Sequence, residues 1–133
     1  MVTLNYVAIV VAGLIQYVLG ALWYGPLFGK QWVRLMKIDP KKMDKSNMGL
    51  RYFGGLVTAL LMTFILAHLV RYAGATTALE GMFIGVIGWL GFIATVAFGS
   101  VLWENKPFSL YVLNTGYYLV CLLISGVILA VWV

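Results

Sequence analysis

R-Y-F-G-G-L-V-T-A-L-L-M-T-F-I-L-A-H-L-V-R-Y, residues 51–72, sets eighteen residues between two Arg-Tyr pairs, and none of the eighteen carries a charge unless His68 is protonated. At 1.5 Å per residue, about 20 helical residues cross the hydrocarbon core of a bilayer. Arg extends its charged tip to the headgroups and Tyr settles in the interfacial aromatic belt, so the two pairs read as anchors at opposite faces of a membrane. The solvent around this helix is oil.

Three further runs repeat the pattern, giving expected spans at 4–24, 52–72, 81–103 and 109–132. The first carries no charge and, past Asn5 at its edge, a single strongly polar residue, Gln16. Strands are excluded because runs of this length lack the alternation and turn spacing of a membrane barrel. Composition agrees: 63% of the 133 residues are hydrophobic and 10% charged, with a mean hydropathy of +0.99, whereas soluble domains are roughly 45–50% apolar and 25% charged. The opening M-V-T-L-N-Y carries no basic residue, so the first run is read as a span and not as a cleaved signal. Cys121 is the only cysteine, which excludes an intramolecular disulfide or a cysteine metal cluster. A small core residue is its expected role.

Eight of the nine basic residues lie in or beside two connections: Lys30, Arg34, Lys37, Lys41, Lys42, Lys45 and Arg51 between spans one and two, and Lys106 between spans three and four. Arg71 alone lies on the opposite side. The positive-inside rule therefore expects the basic connections in the cytoplasm and both termini outside, with the chain in a cell (inner) membrane. Topology and attraction to anionic lipid account for the net charge of +5. No nucleic-acid partner is needed to explain it.

W-Y-G-P-L-F-G-K-Q-W, residues 23–32, closes the first span. Pro26 lacks the amide donor and restricts Gly25 before it, so the helix is expected to end there. Beyond it Phe28, Trp32, Leu35 and Met36 fall on one face, and Lys30, Arg34 and Lys37 on the other. That spacing predicts a short amphipathic helix over 27–37, lying along the inner surface with Lys30, Arg34, Lys37 and Trp32 as contacts to lipid headgroups.

Span three carries Gly81, Gly85, Gly88, Phe92, Thr95 and Gly99 at steps of three and four, one helical face on which only Phe92 is bulky. Small residues let helix backbones approach closely in lipid, so Gly81, Gly85, Gly88 and Gly99 are read as a packing groove for a helix of this chain or of a second copy. Gly55, Ala59, Thr63 and Ala67 form a weaker stripe on span two.

Polar side chains inside a membrane are costly unless paired. Gln16, Thr95 and Tyr117 each lie eight residues from the cytoplasmic boundary of their spans, a depth of about 12 Å. Thr58 and Asn114 fall slightly nearer that boundary. These five form one expected polar layer. It reads either as interhelical glue, worth about 0.6 kcal/mol for an average pair, or as the lining of a site for a solute or lipid headgroup. Amides and hydroxyls are the common means of helix association in lipid, which favours glue.

No catalytic constellation accompanies this layer, and no cofactor or metal is expected. His68 has no second histidine or cysteine with which to hold a metal. All four acids, Asp39, Asp44, Glu80 and Glu104, fall in connections or at helix ends. Small four-span multidrug exporters share a membrane-embedded glutamate on the first span; here the polar residue is Gln16, which cannot ionise.

W-Y-G-P-L-F-G-K-Q-W at 23–32, G-W-L-G-F at 88–92 and W-E-N-K-P-F-S-L-Y-V-L-N-T-G-Y at 103–117 together resemble the membrane family called domain of unknown function 1761. The resemblance implies a compact four-helix membrane protein, typically bacterial, of unassigned activity. It singles out Trp23, Tyr24, Pro26, Phe28, Gly29, Lys30, Trp32, Trp89, Glu104, Pro107, Asn114, Gly116 and Tyr117. Gly25 stands where the family pattern expects serine, and the linker is more basic than that pattern. A faint internal echo also sets L-W-Y-G-P-L-F beside L-W-E-N-K-P-F, pairing Trp23 with Trp103 and Pro26 with Pro107, with Glu104 expected to reach Lys30 or Lys106.

The reading is therefore an all-α integral membrane four-helix bundle, one domain over 1–133. Its expected role is non-enzymatic: a bundle that self-associates as a homo-oligomer or docks on another membrane protein, and that engages anionic lipid. The alternative is a small-solute carrier or channel whose path runs past Gln16, Asn114 and Tyr117.

Overall fold

The computed structural model describes residues 3–39, 41 and 47–133, and over these it is helical with no strand. Lys42, Asp44 and Lys45, part of the basic connection, lie outside the described residues. Four helices are long and apolar enough to cross a membrane: α1 Tyr6–Leu27, α3 Met48–Tyr72, α4 Ala78–Leu102 and α5 Phe108–Val131. The short helix α2, Gly29–Met36, joins α1 to the segment before α3. Against the expected 4–24, 52–72, 81–103 and 109–132, α1 runs three residues further, α3 begins four residues early, its first turn reaching into the basic connection, and α4 begins three residues early.

Local signals set the ends. Asn5 caps α1 by accepting from the Ala8 amide at 3.1 Å. Thr77 caps α4 by accepting from the Glu80 amide at 3.2 Å and donates its own proton to Glu80 Oε1 at 2.9 Å, which satisfies an otherwise orphaned helix-end donor. Pro107, in extended conformation, precedes the first turn of α5.

Gly25-Pro26 interrupts the regular helix as expected: over Trp23–Leu27 the chain makes a wide turn, and Gly25 leaves helical geometry (φ −109°, ψ −106°) at a kink between two helical pieces. The Phe28 amide reaches back five residues to the Trp23 carbonyl at 2.8 Å. Widening moves the Pro26 ring away from the carbonyl four residues before it, which a regular turn would force against it. The chain then breaks at Phe28 and α2 begins. α2 is shorter than the 27–37 of the sequence reading, bounded by that break and by Lys37 in left-handed conformation (φ 57°).

α5 is the central helix, packed against α1, α3 and α4; 44% of its most apolar stretch is buried, against 17% for α4. α1 and α3 cross closely where Gly13 faces Leu60 and Thr63. Ala59, Thr63 and Ala67 are buried in that seam and Gly55 is exposed, so the small-residue stripe on α3 packs along most of its length.

The glycine groove on α4 is only partly a groove. Gly81 and Gly85 are buried, and a methyl added to either would collide with the α5 backbone at Gly126 and Leu122. The helix received is therefore α5 of the same chain. At Trp89–Ala94 α4 opens into a second wide turn. A wide turn spends one extra residue, and one residue is about 100° of rotation, so the packed face shifts sequence position beyond it. Ala94 is buried there, while Phe92 is 74% exposed and Thr95 also faces outward. Gly88 has nothing within 4 Å of an added methyl, and Gly99 meets only Trp103 of its own segment. The regular three-four stepping does not survive the turn.

Candidate functional site

At the α2 end of the bundle the wide turn of α1 presents Trp23 and Tyr24 to α5. The Trp23 indole N–H donates to the Leu113 carbonyl at 3.1 Å, and the Tyr24 hydroxyl donates to Asn114 Oδ1 at 2.8 Å. In return the Tyr117 hydroxyl, on α5, donates to the Gln16 carbonyl at 2.9 Å. Gly20 makes room for it, since a methyl there would stand 2.7 Å from the Tyr117 oxygen. The Tyr117 ring lies 5.5 Å from Tyr24, 6.1 Å from Trp23 and 4.9 Å from Tyr118, separations at which tilted aromatic pairs attract. Trp32 of α2 meets Tyr24 edge-on at 5.9 Å. On the same turn of α5, the Trp89 indole donates to the Thr115 carbonyl at 2.7 Å.

These bulky groups hold the helices apart and leave two clefts. One, of about 560 Å3, lies between α1, α3 and α5, with Gln16, Tyr24, Arg51, Thr58, Met62 and Tyr117 among its walls. The other, of about 610 Å3, lies between α2 and the start of α5, with Trp23, Phe28, Gln31, Arg34 and Ser109 among its walls. Both volumes fall in the range of small-molecule sites, roughly 300–1,000 Å3.

Gln16 is 5% exposed. Its amide nitrogen lies 3.5 Å from the Met62 sulfur, a weak acceptor, and its amide oxygen is buried with no hydrogen-bond donor. An unpaired buried acceptor costs about 1–3 kcal/mol.

The polar layer assembles in part. Gln16, Asn114 and Tyr117 come together through Tyr24, and Thr58 is an exposed wall residue of the same cleft, its hydroxyl donating to the Gly55 carbonyl at 2.9 Å. Thr95 does not join them. It faces outward beyond the wide turn of α4 and donates to the Gly91 carbonyl at 2.7 Å. Of the headgroup candidates, Lys30, Arg34 and Lys37 are exposed, while Trp32 is half-buried against Tyr24.

The sequence reading missed Tyr17, Arg51, Met62 and Tyr118 as walls of the first cleft. A signal was present: Arg51, Gly55, Thr58 and Met62 recur at steps of four, three and four on α3, one face of a helix.

At the opposite end Arg71 is turned inward. Its guanidinium donates to the carbonyls of Leu129 (2.7 Å), Ala130 (3.0 Å) and Ala75 (2.9 Å), so it closes the last turn of α5 instead of only reaching for headgroups. His68 Nδ1 lies 2.9 Å from the Phe64 carbonyl, with the ring between Phe64 and Tyr72. Among the described residues no three His, Cys, Asp or Glu side chains gather as a metal site. The two halves of the internal echo also differ: Trp23 is bonded to α5, whereas Trp103 is 83% exposed. Among the described residues Glu104 forms no ion pair with Lys30 or Lys106.

Of the residues singled out by the family resemblance, Trp23, Tyr24, Phe28, Trp32, Asn114, Gly116 and Tyr117 converge at this end, Gly116 lying under the Trp23 ring. No curated protein and no solved structure shows significant similarity to the chain. A family model does match, over residues 7–130, nearly the whole length, and through it the chain belongs to the family described as "Protein of unknown function (DUF1761)".

Proposed function

We propose that this chain is a non-enzymatic, multi-pass membrane protein that receives a small molecule or lipid headgroup in the cleft between α1, α3 and α5, beside an interfacial helix that engages anionic lipid. The observation that carries this reading is the Gln16 amide oxygen, buried without a donor in the wall of an open cleft. Glue would leave its members paired; here the polar layer is satisfied at Tyr24, Asn114 and Tyr117 and left open at Gln16. The exposed Lys30 and Arg34 on α2, with Lys37 just past its end, supply the charge for acidic headgroups. Threading follows from charge: the basic connection faces the cytoplasm and both termini face out, and a carboxyl-terminal reporter active only inside cells overturns that threading.

The test is native mass spectrometry of the protein extracted from its membrane, followed by reconstitution in liposomes. A bound small species lost in Gln16→Leu, and acidic lipid depleted when Lys30, Arg34 and Lys37 become glutamine, are the expected results. Wild-type protein free of any bound species, with no solute flux across a broad panel, rules the cleft out as a site. Flux abolished by Gln16→Leu would make the site part of a carrier path.

A second reading, association with another copy or another membrane protein, draws on α4, the least buried span, whose Gly88 and Gly91 have open space beside them. Cysteines placed at Gly91 in a Cys121→Ala background would crosslink in the membrane if this face is an interface. Absence of crosslinks to any partner sinks it.

A further inference from the structure

We infer that the ligand of the α1–α3–α5 cleft is an uncharged hydrogen-bond donor, an alcohol or phenol carried on an apolar body; this rests on the binding role proposed above. The inference comes from where the protons of the cleft wall go. The Tyr17 hydroxyl donates to the Tyr52 carbonyl at 3.1 Å, Tyr24 to Asn114 Oδ1 at 2.8 Å, Thr58 to the Gly55 carbonyl at 2.9 Å and Tyr117 to the Gln16 carbonyl at 2.9 Å. Each of these four hydroxyls commits its single proton to the protein and keeps its lone pairs, whereas the hydroxyl of Tyr118, also in the wall, makes no hydrogen bond among the described residues. Gln16 adds the buried carbonyl oxygen that has no donor, while its NH2 group faces the Met62 sulfur. Sulfur accepts and does not donate, which favours the amide with its oxygen as the unsatisfied atom. That buried oxygen calls for a guest that brings an O–H or N–H.

Charge then narrows the class. Among the described residues no Asp or Glu lines the cleft. A guest ammonium would find no carboxylate among them, in a medium where unpaired charge is costly. A neutral donor avoids that penalty. Much of the remaining wall is apolar or aromatic, with Tyr24 edge-on to Tyr117 and Tyr118 tilted against it, which suits a flat or hydrocarbon body. Gln16 lies nine residues from Gly25, about 13 Å along α1, so the hydroxyl is read deep in the cleft and the body trails towards the α2 end. The terminal amide torsion of Gln16 is soft, which lets its oxygen turn to the donor.

The experiment uses the full chain in lipid nanodiscs with para-hexylphenol and its methyl ether, two molecules of nearly equal shape that differ in the donor proton, and with hexylammonium. Binding is read by ligand-observed NMR and titration calorimetry. The phenol is expected to bind about tenfold more tightly than the ether, the ratio for one buried hydrogen bond. Gln16→Leu brings the ratio close to one, and Thr95→Val, outside the cleft, leaves it unchanged. Equal affinity of phenol and ether for the wild-type protein overturns the donor inference while leaving the cleft as a site, and needs no variant to fold. Hexylammonium binding more tightly than the phenol overturns the assignment as uncharged. Failure of all three probes to bind removes the cleft as a binding site altogether. Diacylglycerol included in the disc separates two sources of the hydroxyl: displacement of the phenol marks a lipid-borne alcohol, and undiminished phenol binding marks a freely diffusing one.

Discussion

Where α4 crosses α5 near Gly81 and Gly126, backbone lies on backbone, and Arg71 draws the ends of α3 and α5 together through three carbonyls. Where α1 meets α5 near Trp23, Tyr24 and Tyr117, aromatic rings stand between the helices, with clefts of about 560 and 610 Å3 on either side of them. The difference is one of side-chain size. Between α4 and α5 small residues let dispersion act between backbones and leave no room for a guest; large amphipathic rings bridge by hydrogen bonds and leave space that is polar in places. The contrast is between these two seams and not between whole ends, since a cleft of about 820 Å3 opens beside Arg71 and Leu129.

The contrast breaks most visibly at the closed seam. Gly81→Val or Gly126→Val sets a side chain into a facing carbonyl that belongs to rigid backbone, and should cost about 3 kcal/mol, read as a lower thermal unfolding midpoint in detergent. A stable Gly126→Val protein would mean that the backbones do not touch. Arg71→Gln is next. It removes a charged donor shared among three carbonyls, and a loss of about 2 kcal/mol is expected, with faster amide exchange confined to the last turn of α5. Faster exchange along the whole helix would place Arg71 in the core of the fold and not at its end.

The smallest effects sharpen the open seam. Tyr117→Phe loses one hydrogen bond, worth about 0.6 kcal/mol in lipid, and Thr95→Val should change stability by almost nothing, because its hydroxyl serves only its own helix. Equal and large losses from both would restore the single four-helix polar layer that the spacing suggested.

That spacing argument shows how legible the chain was. Gln16, Asn114 and Tyr117 were readable because each lies at a similar depth on a regular stretch of helix, and depth counts residues. Thr95 was misread because its eight-residue count from Trp103 fixes depth and not the face of the helix, and its face turns outward. Gly99 failed as a groove residue because the three-four stepping runs through Trp89–Ala94, whereas Gly88, before that turn, stands with open space beside it. Tyr17, Met62 and Tyr118 carry no sequence mark that separates a cleft wall from a lipid-facing side chain, since both are apolar or aromatic surfaces in oil. Arg71 was placed correctly at a helix end, yet its acceptors on α5 are 58 and 59 residues away in sequence.

What the sequence alone determined is the solvent, the number and approximate limits of the spans and the distribution of charge between their ends, because hydrocarbon demands helices of a given length and excludes unpaired charge whatever the partners. Which faces of those helices meet was decided only by the tertiary structure. In lipid there is no difference between a buried and an exposed leucine for sequence to record, so two wide turns and a few glycines settled the pairing, and with it the position of the unpartnered Gln16 oxygen.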